Sequence, residues 1–218
     1  MKIETHRFRL SEFDCLIVND GKFVMDAFPP EIVLAGASEE EIRQALQQHD
    51  SDPAQWRVGF NFSCLVINTG DRLVLVDTGC GATDFMPDVG HLPEGLAAEG
   101  LAPADIDTVI LTHGHWDHVA GLVDLNGKLV FPDAEFVMWR EEWEFWNDKA
   151  NAALLYQNYN DQDKVPFATV PLIKDRVRLI EAESEILPGI EAVAAPGHSV
   201  AHIALAITSG DEPAATYC

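Results

Sequence analysis

Four polar side chains with metal-ligand chemistry stand within six residues, His113, His115, Asp117 and His118, directly after the apolar run Val109-Ile110-Leu111. A run of that kind reads as a buried strand, and the polar segment after it must be a loop delivered to one edge of a layered core. In a locally extended segment, side chains two residues apart point the same way, so His113 and His115 can converge on one cation. Neutral imidazole nitrogens suit zinc and the neighbouring transition metals. Asp117 and His118, at the far end of the loop, approach from another direction and can serve a second metal close by. Gly114 removes a side chain between two ligands and is expected to let the backbone bend tightly.

The rest of the chain reads as one α/β layered domain. At 218 residues it is long enough for a sizeable core and short for two domains. Strands are expected around Phe8 and Leu10 and at Cys15-Leu16-Ile17-Val18, ended by a turn at Asn19-Asp20-Gly21. Ser38-Glu39-Glu40-Glu41 is a capping-box signature for a helix with Ile42, Ala45 and Leu46 on one face. A strand pair comes next, Phe62 to Asn68 and Leu73 to Val76, leading into Asp77-Thr78-Gly79. Helices are expected over Leu92 to Glu99 and Arg140 to Ala153, and strands at Glu135 to Met138, Val177 to Ile180, Ile190 to Val193 and Ile203 to Thr208.

Charge narrows the partners. With 36 acidic against 14 basic residues the formal net charge is −22. Such a surface repels phosphate backbones and anionic lipid heads, so neither nucleic acid nor a membrane is an expected partner. No stretch approaches the ~20 apolar residues of a membrane span. The charged start Met1-Lys2-Ile3-Glu4 lacks a signal peptide's apolar core, so a cytoplasmic location is expected. Cys15, Cys64, Cys80 and Cys218 form no C-x-x-C pair, as free thiols in a reducing compartment would not. Cys80 is read as a small buried residue rather than a ligand.

Thr112-His113-Gly114-His115-Trp116-Asp117-His118-Val119-Ala120-Gly121 resembles the T-H-x-H-x-D-H-x-x-G signature of the metallo-β-lactamase superfamily. Leu75-Val76-Asp77-Thr78-Gly79 resembles the first motif of that family, and Ala195-Pro196-Gly197-His198-Ser199 its P-G-H-[ST] motif. The resemblance, from roughly Gly59 to Thr208, implies a four-layer αββα sandwich and two divalent metal ions, zinc first and iron, manganese or cobalt as alternatives. It further implies that His113, His115 and His198 hold the first metal, that Asp117 and His118 contribute to the second, and that Asp77 and His202 orient ligands. Asp117 is the residue expected to act in catalysis.

In the family the pattern continues: a further strand ends in an aspartate bridging both metals, and a last histidine completes the second site. Here no histidine comes after His202, and Asp211 lies in a turn at the wrong end of its hairpin. The chain is therefore expected to lack the C-terminal portion of its fold, to bind fewer than two metals and to have little activity on its own. The stretch from Gly79 to Asp105, with Phe131 to Glu135 and Trp139 to Trp143, resembles the lactonase and organophosphate hydrolase branch. A metal-activated water attacking a lactone, ester or phosphotriester is the expected chemistry, on a small-molecule substrate held by Phe62, Phe85, Met86 and Trp116. The alternatives are a glyoxalase-II-like thioesterase and a non-catalytic metal-binding protein of the same fold; a homodimer is compatible with either.

Overall fold

Apolar side chains alternate along the central strands, and the alternation builds two cores. Leu65, Ile67, Val74, Val76, Ile110 and Val137 belong to one buried cluster, whereas Cys64, Val66, Leu75, Val109, Leu111, Phe136 and Met138 belong to the other. Strands apolar on both faces must be covered on both faces, which is the physical origin of the layered architecture.

The computed structural model describes residues 3–10, 12–25, 36–48, 58–83, 86–155, 164–181, 183–208 and 215–217. The first sheet has seven strands in chain order, β1 (Thr5–Leu10), β2 (Phe13–Met25), β3 (Val58–Asn68), β4 (Leu73–Val76), β5 (Thr108–Ile110), β6 (Glu135–Trp139) and β7 (Val177–Ile180). β1–β2 and β3–β4 pair antiparallel, and β4 through β7 run parallel. The second sheet is antiparallel, β8 (Ser184–Leu187), β9 (Ile190–Ala194), β10 (Ile203–Ile207) and β11 (Ala215–Tyr217), in the order β11-β10-β9-β8.

Ile186, Ile190, Ala192, Ile203, Leu205 and Ile207 of the second sheet meet the first sheet in one core. On the other face, Leu92 and Leu96 of α2 (Leu92–Ala98) and Trp146 of α4 (Arg140–Asn147) pack with Val170 and Ile173. α3 (Trp116–Val119), α5 (Lys149–Leu155) and α6 (Val165–Thr169) are the other α-helices among the described residues from 62 onward. Three of the four expected layers, helices, large sheet and small sheet, are thus present in these residues.

The chain divides into two compact units, one formed by 1–21 with 62–218 and the other by 22–61. The second contains α1 (Glu39–Gln48), whose expected capping box is made: the Ser38 and Glu41 backbone N–H groups donate to each other's side-chain oxygens at 2.8 and 3.3 Å. Its Phe23 and Phe60 rings stack 6.5 Å apart.

The structure corrects the sequence reading at two elements. Asn19-Asp20-Gly21 is no turn, because β2 continues through it to Met25. Asp20 is fully buried, and its carboxylate accepts the backbone N–H groups of Cys80, Gly90 and Leu92 at 2.8, 3.1 and 2.8 Å. Tertiary donors, not local turn geometry, use this carboxylate. The helix expected from Arg140 to Ala153 is two helices, broken where Asp148 takes an extended backbone (φ −85°, ψ 118°). The Asp148 carboxylate accepts the Ala150 N–H at 2.8 Å and starts α5 as a cap residue would.

Candidate metal centre

Three loops meet at one edge of the sheets. Asp77 follows β4, His113 to His118 follow β5, and His198 and His202 lie between β9 and β10. The Ile203 N–H donates to the Thr112 carbonyl at 3.1 Å and ties the second sheet to the histidine loop. His115 ends the extended part of that loop (φ −68°, ψ 155°), and Trp116–Val119 then make one turn of helix. Across this change from extended to helical backbone, the His118 ring comes to lie 4.0 Å from that of His113.

His113 Nε2 and His198 Nε2 lie 3.1 and 3.0 Å from His115 Nδ1, although His115 and His198 are 83 positions apart. One nitrogen from each of the three rings falls within 4.8 Å of the others. Two nitrogens in a tetrahedral zinc site with ~2.0–2.1 Å bonds are separated by roughly 3.3 Å, so the cluster has nearly the spacing such an ion requires. Burial, reinforced by the neighbouring imidazoles, lowers the pKa of His113 and His115; burial followed by His198 does the same for His202. These rings are held neutral, with lone pairs available to a cation. The residues therefore fit a divalent metal.

Asp77 organises the loop from beneath. Its Oδ1 accepts the Thr112 backbone N–H at 2.8 Å, and its Oδ2 accepts the Thr112 hydroxyl at 2.7 Å and faces His118 Nδ1 at 2.8 Å. The Thr112 oxygen in turn lies 3.1 Å from His113 Nδ1. A proton on His113 Nδ1 satisfies its end of this network and leaves the His113 Nε2 lone pair free, and His118 Nδ1 donates to Asp77. Asp77 does this from a left-handed backbone (φ 59°), a conformation costing roughly 1–2 kcal/mol that aspartate tolerates better than most residues.

Asp117 and His118, the residues expected to serve a second metal, stand beside each other, with Asp117 Oδ2 3.4 Å from His118 Nε2. Burial alone would lower the His118 pKa, but Asp77 and Asp117 overcome it and push it up to about 10. Burial would raise Asp117, and His118 more than offsets that and lowers it. His118 is thus held where a carboxylate pair already attracts positive charge. His202 packs against the cluster with its ring tilted 56° to that of His113 and the centroids 4.6 Å apart, and among the described residues its buried Nε2 has no hydrogen-bond partner.

Trp116 meets Phe62 edge to face at 5.7 Å, and both pack against buried Cys80, Met86 and Val89. Three of the four expected pocket residues therefore form one apolar cluster beside the loop; Phe85, like Asp211, lies outside the described residues. Burial, with Asp20 and Asp117 nearby, pushes the Cys80 thiol pKa well up. Gly114 has a different reason from the tight bend expected: a Cβ there would sit 2.1 Å from Trp146 Nε1, so the position must be empty for the indole to close on the loop.

Sequence reasoning missed Glu142. It is fully buried on α4, and its carboxylate touches both histidine loops. The available signal was its spacing from Trp146, four residues along a helix face that also carries the core contact.

Similarity to known proteins agrees with this geometry. Residues 58–214 match the metallo-beta-lactamase superfamily profile. The N-acyl homoserine lactonase AiiB of Agrobacterium fabrum is 29% identical over 171 residues, covering 69% of this chain and 59% of that protein. An N-acyl homoserine lactonase of Bacillus thuringiensis is 25% identical over 162 residues, 66% of this chain and 57% of that one. The chain thus spans less than two thirds of the length of these relatives. Among solved structures, the dizinc quorum-quenching lactonase AidC, in complex with a product, aligns with a TM-score of 0.80 over 96% of this chain and 72% of its own at 24% identity. Hydrolase AbOPH of the β-lactamase superfamily aligns at 0.78 over 97% and 72% at 22% identity. The family match covers most of the chain and includes all five clustered ligand candidates: the chain belongs to the metallo-β-lactamase superfamily.

Proposed function

We propose that this chain carries the metal-binding part of a divalent-metal-dependent hydrolase, with lactones first among its substrates and esters or phosphotriesters after them. The observation that carries the reading is the convergence of His113, His115 and His198 from two distant loops, with Asp117 and His118 beside them. The lactonase relatives support the substrate class.

A bound divalent ion, or a pair, would polarise the carbonyl or phosphoryl oxygen and make water acidic enough to attack near neutral pH. His113, His115 and His198 would hold the first ion through neutral nitrogens, and Asp117 and His118 would face the second. Asp117, kept ionised by His118, would orient the attacking water and take its proton. Phe62 and Trp116 would wall the acyl or aryl portion of the substrate and exclude water from that side. The small-molecule substrate, a pair of metals with zinc first, and a cytoplasmic setting belong to this same proposal.

One experiment tests it: metal content, followed by turnover of a panel of lactones, aryl esters, phosphotriesters and thioesters. Zinc bound by the wild type, slow lactone opening, and loss of both in the His113→Ala/His115→Ala variant are expected. Hydrolysis that survives the double substitution would refute the proposal. Zinc bound with no turnover of any panel member would favour a metal-binding protein, a reading supported by His113, His115 and His198 being the one cluster of three candidate ligands among the described residues.

A further inference from the structure

Glu142 is a buried carboxylate with every bonding direction used. Its Oε1 accepts the Gly114 backbone N–H at 2.9 Å and the Trp146 indole N–H at 2.7 Å. Its Oε2 accepts the Ser199 hydroxyl and the Ala201 backbone N–H, both at 2.9 Å. Burying an ionised carboxylate is costly unless several donors replace water, and these four do so. Their origin matters more than their number. Gly114 sits between His113 and His115, Ser199 directly follows His198, and Ala201 directly precedes His202. One side chain is therefore bonded to both loops that carry the candidate ligands. From the same helix, Trp146 closes on Gly114 and stands edge-on to His115, with ring centroids 6.1 Å apart.

We propose that Glu142 is a positioning residue: it clamps the His113–His115 loop to the His198–His202 loop, so that the three imidazoles stand at ligand spacing before a metal arrives. The proposal rests on the metal-binding half of the proposed function and is independent of the substrate. A first set of ligands drawn from separate loops binds tightly only if the loops need not be ordered by the metal itself, and hydrogen-bonded support of this kind typically changes metal affinity 10- to 100-fold.

Glutamine separates the clamp from simple bulk. Glu142→Gln keeps the shape but replaces one acceptor oxygen with an amide NH2, which can satisfy neither the Gly114 nor the Ala201 backbone donor. One loop must be released whichever way the amide turns. The test is a competitive titration of the full chain with cobalt(II) against a chromophoric chelator, read also by the visible absorption of the bound cobalt, with urea unfolding alongside. E142Q is expected to weaken cobalt binding at least ~10-fold and to alter the ligand-field spectrum while unfolding stays cooperative. Trp146→Phe and Ser199→Ala, each removing one donor and leaving the carboxylate, are expected to weaken binding by smaller steps, and they carry the test if E142Q fails to fold. Unchanged cobalt affinity in E142Q, or in both single-donor variants where E142Q does not fold, would overturn the proposal even if stability falls. A wild type that binds no cobalt would instead overturn the metal-binding reading beneath it.

Discussion

Among single residues, Asp77 and Gly114 show how little freedom the site leaves. Asp77→Asn is the informative change, because asparagine also accepts the left-handed backbone and so alters only the charge and one acceptor. It leaves the Thr112 hydroxyl and His118 Nδ1 facing an NH2 group. Metal affinity is expected to fall ~10- to 100-fold, measured by chelator competition, and an unchanged affinity would show that Asp77 does not support the ligands. Gly114→Ala would drive a methyl group into the Trp146 indole, which is buried and hydrogen-bonded to Glu142. A loss of about 1–3 kcal/mol in urea unfolding is expected, with wild-type stability as the contrary result. The role of Asp77 could be read from its motif. The reason for Gly114 could not, since Trp146 is 32 positions away and only packing brings it there.

Among the elements, the break between α4 and α5 separates local from tertiary causes. Propensity reads Arg140 to Ala153 as continuous helix, and nothing at Asp148 forbids that. Yet Asp148 leaves the helix and caps the next one. Asp148→Ala is expected to cost about 0.5–2 kcal/mol by urea unfolding, in keeping with a lost cap; an effect near zero would place the cause of the break elsewhere. β2 shows the reverse case. Asn-Asp-Gly is a strong turn signal, but Asp20 finds three backbone donors in the core and Gly21 lies so close to Asp88 that a Cβ would come within 2.2 Å of its carbonyl oxygen. Local signals state what a segment prefers in isolation. Partners far along the chain decide whether that preference is realised.

Across the molecule as a whole, stability comes from the covered sheets and is opposed by charge. Leu205 is fully buried between the two sheets, so Leu205→Ala is expected to cost about 2–5 kcal/mol, whereas Leu125→Ser, at a position 73% exposed, is expected to shift stability by less than about 0.5 kcal/mol. Equal effects in urea unfolding would contradict the assignment of the inter-sheet core. A net charge of −22 repels itself, and raising sodium chloride from ~0.02 to ~0.2 M shortens the range of that repulsion, so the thermal midpoint is expected to rise. A fall in the midpoint would show that attractive surface pairs outweigh the repulsion.

The layered class, the family and five candidate ligands are all legible in the order of amino acids. They are legible because His113, His115, Asp117 and His118 are chemically distinctive and contiguous, and the P-G-H segment repeats that distinctiveness at His198. Strand alternation is likewise local, written at a period of two residues. The means of holding those ligands in place emerges only on folding. Asp20 and Glu142 are ordinary acidic residues along the chain, and they become buried acceptors only when donors from segments up to 72 positions away surround them. A hydrogen bond between distant segments leaves no local pattern, because its energy depends on where folding brings the donors. The ligands of the candidate centre can therefore be read from one line of sequence, and its rigidity is a property of the folded chain.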